Sequence, residues 1–148
     1  MKGLLILIAF VAGAILPVQA SINAKMAKFA GGPVMAALLS FAVGTIGLLL
    51  FALFSQPNFS LQLANTRQAP AYAWIAGILG AFYVVGSVYL LPKLGVALTF
   101  SLIIAGQMLV TLVLDHYGLL GVPVKPINLP RLLGILLIIA GVILVRKF

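Results

Sequence analysis

Five long apolar runs, separated by short polar breaks, constrain this chain more than anything else in it. They lie at about 3–22, 33–54, 72–91, 94–114 and 132–146. A helix needs about 20 apolar residues to cross the hydrocarbon core of a bilayer. A water-facing domain would have to cover such runs with charge. Only 7% of the residues here are charged and 64% are hydrophobic, against roughly 25% charged in a soluble domain. The expected fold is all-α: a polytopic membrane protein of five transmembrane helices, residues 1–148 forming one membrane domain.

The breaks carry helix-stopping chemistry. Asn23 to Pro33 holds Lys25, Lys28, Gly31 and Gly32, and Ser55 to Ala71 holds Pro57, Asn58, Asn65, Arg67 and Pro70. Pro92-Lys93-Leu94-Gly95 reads as a tight connection. The fourth loop runs from Asp115 through Gly118, Gly121, Pro123, Lys125 and Pro126 to Pro130. Proline removes a backbone donor and glycine frees φ. The fifth run is short, but Arg131, Arg146 and Lys147 flank it and can snorkel to the headgroups. The first run, with Lys2 before it and Val18-Gln19-Ala20 after Pro17, has some character of a secretory signal. Its apolar stretch is long for that role, and it reads as a spanning helix.

The net charge of +8 comes from nine Lys and Arg against one acid, Asp115. In a soluble protein this would suggest nucleic acid. Here the cations sit singly between apolar runs, which suits lipid headgroups and gives no nucleic-acid partner. Cysteine is absent from the sequence, so no disulfide framework or thiolate metal site is expected. No cofactor or metal is implied. No nucleophile–base set supports an enzyme.

Five crossings put the termini on opposite sides. One side then receives Lys2, Arg67, Lys125 and Arg131; the other receives Lys25, Lys28, Lys93, Arg146 and Lys147. Orientation follows an imbalance in such counts, and four against five is almost none. Either a few charges such as Lys25 and Lys28 dominate, or the chain inserts both ways and pairs antiparallel, as inverted repeats do in many transporters.

Polar groups inside the spans are costly in lipid and should face protein or a solvated cavity. Gln19 and Asn23 sit four apart just beyond Pro17, and Tyr83 and Ser87 sit four apart near the centre of the third span. Gln107, Thr111 and Asp115 step by four along the fourth. Gln107 is the leading single candidate for a cavity residue. Gln19, Asn23, Tyr83, Ser87 and Gln107 are therefore the candidate substrate contacts, with interhelical glue as the competing role. Trp74 and Tyr72 suit the interfacial belt. Asp115 and His116 close the fourth span. Asp115 reads either as an interfacial acid paired with Arg131 or Lys125, or as a titrating gate with His116 beside it. No span carries a carboxylate near its middle, which disfavours proton-for-cation exchange and favours neutral, zwitterionic or anionic substrates.

The order of short motifs is also familiar. Gly13-Ala14-Ile15-Leu16-Pro17-Val18-Gln19 with Asn23 is followed by Gly31-Gly32-Pro33, Ser40-Phe41 and Gly44. Then come Trp74, Gly77, Gly80-Ala81-Phe82-Tyr83-Val84 and Leu91-Pro92-Lys93-Leu94-Gly95-Val96-Ala97. Gly106-Gln107, Asp115-His116-Tyr117-Gly118, Arg131, Gly134 and Gly141-Val142 complete the series. Together they resemble the drug/metabolite transporter superfamily, in its half-size five-helix YdcZ-like branch. That resemblance implies one half of a ten-helix inverted-repeat transporter. It implies an antiparallel dual-topology homodimer, or pairing with a paralogous five-helix half, around a central cavity with alternating access. It further implies a small-molecule substrate, metabolite or drug, and the inner membrane of a bacterium. The four-helix multidrug members rely on a first-helix glutamate, and Gln19 stands at the comparable position. A membrane scaffold or regulatory subunit without transport is the alternative.

Overall fold

The computed structural model describes residues 2–147. All regular structure among them is helical. Helix α1 covers Lys2–Ala30, α2 Pro33–Ser55, α3 Phe59–Asn65, α4 Ile75–Leu94, α5 Val96–Tyr117 and α6 Leu129–Lys147. A 3-10 turn at Ala71–Trp74 leads into α4. Five of these segments are long and apolar enough to cross a membrane; α3 is the seven-residue exception. The chain is thus an all-α polytopic membrane protein, and α3 gives helical structure to a stretch that reads as loop.

Large apolar side chains face outward over most of the surface of the long helices. Phe54 is 91% exposed and Phe29 82%. In water such a surface would aggregate. In lipid it is solvated, and the internal hydrogen bonds of each helix satisfy its backbone.

Two helix ends differ from the sequence reading. Helix α1 does not stop at Asn23 but continues past Lys25 and Lys28 to Ala30. Ala, Lys and Met are good helix formers, so the polar turn leaves the apolar slab without leaving the helix. Gly31 and Gly32, at φ of 82° and 141°, end it. Pro92 lies inside α4, not in the connection, and the chain breaks at Gly95, φ 78°. Pro17 likewise sits within unbroken α1, and Ser21 Oγ donates to its carbonyl at 2.7 Å.

The chain forms two compact units, one ending at Pro92 and one beginning at Lys93. In the first, α1, α2 and α4 meet around Ala37, Val84 and Val88, with Ala24, Ala27, Tyr83 and Val85 packed on them. Small residues set the spacing: Ala20, Ala36 and Ala37 are all buried, and small side chains let membrane helices approach closely.

In the second unit α5 packs on α6. Gly118 ends α5 in the left-handed region, its N–H donating to Leu114 O. A Cβ there would lie 2.7 Å from Val124 Cγ2. Left-handed backbone costs an L-residue roughly 1–2 kcal/mol, and the clash adds to it. Gly118→Ala is expected to lower the thermal unfolding midpoint in detergent. Gly118→Asn, which tolerates this backbone better, shares the clash but should lose less.

Candidate functional site

The candidate residues fall into three settings. Asn23 is buried in the first unit, and Tyr83 is part-buried there with its hydroxyl sealed. Asn23 is 6% exposed, and its Nδ2 has no hydrogen-bond partner. The Tyr83 hydroxyl is likewise shut off from solvent and unpartnered. These are the buried unpartnered side-chain polar atoms among the described residues. Ala24 and Ala27 of α1 and Tyr83 of α4 pack on the cluster around Ala37 of α2, and Asn23 is buried on the same stretch of α1; this is the junction of α1, α2 and α4. Ser87 is just as buried but spends its hydroxyl on its own helix, donating to Val84 O at 2.9 Å.

Gln19 lies one turn before Asn23 and is exposed. It lines an open groove of about 220 Å³ between α1 and α2, with Ser40, Phe41, Gly44 and Thr45. The Phe41 ring leans on α4, its Cζ 3.6 Å from where a Cβ on Gly80 would sit. Three layer relations follow from helical spacing. Gln19 stands one turn from Asn23, Phe41 one turn from Ala37, and Gly80 one turn from Val84. The open groove is therefore one layer, and the sealed polar junction is the next.

Ser40, Phe41 and Thr45 were not among the sequence candidates. The available signal was the four-residue step Ser40–Gly44–Leu48, which marks one face of α2. Phe41 stood out only within the Ser40-Phe41 motif of the family resemblance, because a phenylalanine in a span is what lipid alone would select.

Gln107 is exposed on α5, and its backbone carbonyl accepts a hydrogen bond from Thr111 Oγ1 at 2.6 Å. It lies outside the groove that α5 and α6 form, which Met108, Thr111, Leu112, Arg131 and Ile135 help to line.

Asp115 and His116 take part in a clasp at the end of α5. The Asp115 carboxylate accepts from the Arg131 guanidinium, forming an ion pair in which neither side chain is more than one-third exposed. Arg131 Nη1 also donates to Lys125 O at 2.8 Å. Lys125 N–H returns to Asp115 O at 2.7 Å. His116 Nδ1 accepts from Ile127 N–H at 3.1 Å, and Asn128 Oδ1 caps α6 by accepting Arg131 N–H at 3.0 Å. The pairing with Arg131 considered for Asp115 is the one observed. His116 is engaged in holding the loop.

Comparison with known proteins agrees with this architecture. Residues 4–144 match a family described as "Putative inner membrane exporter, YdcZ". The "Inner membrane protein YdcZ" of Escherichia coli (strain K12) is 27% identical over 138 residues, covering 92% of this chain and 91% of that one. No solved structure matches. With five membrane-length helices and a family match across nearly its whole length, the chain is a multi-pass inner-membrane protein and belongs to the YdcZ exporter family.

Proposed function

We propose that this chain is one half of an exporter of small metabolites or drugs. It pairs with an inverted copy of itself, or with a paralogous half, and works by alternating access. The observation that carries this is the sealed pair of polar atoms at Asn23 and Tyr83. An unsatisfied buried donor costs roughly 1–3 kcal/mol, and each one in a native fold needs an explanation. A substrate that pairs with them in one of two conformations supplies it. Gln19, and Gln107 on the second unit, hold amides that an inverted partner would cover. An exposed, unpartnered amide within a span is expensive, and glutamine can both donate and accept across a two-fold axis. The near-equal split of cations supports insertion in both orientations.

The chain has no native cysteine, so Lys147→Cys creates a unique reporter at one end. A membrane-impermeant maleimide should label about equal fractions from the outside of intact spheroplasts and from the outside of inverted vesicles, as dual topology requires. Labelling from one face alone would overturn the inverted homodimer.

A further inference from the structure

We infer that the α1–α2 groove is the vestibule of the sealed Asn23–Tyr83 junction, and that the ligand taken there is a small organic acid in its carboxylate form. The inference rests on the exporter reading above and adds the route and the chemical class. The route follows from the layers. Gln19, Ser40 and Thr45 give the open groove polar lining, and the next layer, one turn on, holds the two unpartnered polar atoms. Phe41, 39% exposed and resting on Gly80, belongs to the groove layer, one turn from Ala37 of the junction. Gly80 offers no side chain to hold the ring, so Phe41 is assigned as the side chain that moves to admit a ligand from the groove.

The class follows from the donors. Asn23 Nδ2 can only donate, and the Tyr83 hydroxyl is free to donate as well. Donors aimed at a carboxylate make charge-assisted hydrogen bonds, stronger than neutral ones. A cationic ligand would find no free acidic side chain to balance it. The only acid in the sequence is Asp115, and Arg131 already neutralises it. The chain's net charge of +8 favours the approach of anions and opposes that of cations.

The test uses the full chain in proteoliposomes, with three probes that share one ring: benzoate, uncharged benzamide and protonated benzylamine. Benzoate should bind and exchange across the membrane, with benzylammonium at least tenfold weaker on both readouts. Tyr83→Phe removes one hydroxyl and leaves the ring in place. It should raise the benzoate Kd at least tenfold while its unfolding midpoint stays at or above that of the parent. Phe41→Ala should speed benzoate association. Benzylammonium binding as tightly as benzoate, or no probe binding at all, would overturn the carboxylate class. Benzoate binding unchanged in Tyr83→Phe would overturn the site. The maleimide split decides the inverted homodimer separately, so an even split beside a failed benzoate result leaves that reading standing.

Discussion

Arg131→Ala is expected to destabilise the second unit by about 2 kcal/mol and to release the loop between α5 and α6. From the start of α6, the Arg131 side chain ties two things together: the Asp115 carboxylate on α5 and the Lys125 carbonyl in the loop. Hydrogen bonds to charged groups contribute about 1.5–3 kcal/mol. Partial exposure of both partners keeps the total near the middle of that range, since solvent screens the pair. The alanine variant also leaves the one acidic side chain of the sequence unpaired at the edge of the apolar slab. Arg131→Lys keeps the charge, but a compact ammonium does not reach the carboxylate and the loop carbonyl as a planar fork does. It should lose roughly half as much. Thermal unfolding in detergent gives the size of the effect. Hydrogen exchange gives its place: the Lys125 and Ile127 amides, bonded to Asp115 O and His116 Nδ1, should lose protection before the amides of α5. Unchanged protection at those two positions would show that the loop holds itself.

Asn23 is expected to respond in opposite directions to two substitutions of similar size. Asn23→Leu removes a buried amide whose Nδ2 has no partner. Replacing an unsatisfied polar group by an apolar one of similar shape should stabilise the fold by about 1–3 kcal/mol. Ligand binding at the junction should be lost with it. Asn23→Asp places a carboxylate at the same point without a counter-charge. The substitution also removes the Nδ2 donor that a ligand carboxylate would use, so the fixed charge keeps at most one of the two donors. A charge so poorly paired costs several kcal/mol, and this variant should unfold earlier or insert poorly. A stabilised but inactive Asn23→Leu would separate the cost of the site from its use. If instead the leucine variant melts earlier than the parent, the amide has a structural partner and does not belong to a ligand site.

The fold was legible because lipid imposes a simple rule, that a helix crosses only as a long apolar run. The five runs obey it, and five helices follow. Helix ends were harder to read. Lys25 and Lys28 mark where the apolar slab ends, and the helix outlasts it because water also tolerates a helix built from Ala, Lys and Met. Pro92 marks a missing donor near the end of α4, where the loss of one bond does not end the helix. The candidate site was legible as a set of polar types but not as a set of uses. Tyr83 and Ser87 look equivalent on one face of α4. The serine hydroxyl is short enough to reach Val84 O, a common way for serine to satisfy itself. The tyrosine hydroxyl, held out beyond its ring, cannot fold back onto its own backbone. Only packing reveals that one is spent and the other is not.

The sealed junction also has a depth. Ala37, which belongs to it, stands four residues after Pro33 at the start of α2, about 6 Å along the axis at 1.5 Å per residue. From Ala37 to Ser55 the same helix runs on for about 27 Å. The junction is therefore far off-centre along α2, toward the end where α1 carries Lys25 and Lys28. In an inverted pair the second copy would place its own junction at the opposite depth. The translocation path would then hold two shelves, one near each face, and a molecule would cross by changing shelves between the halves.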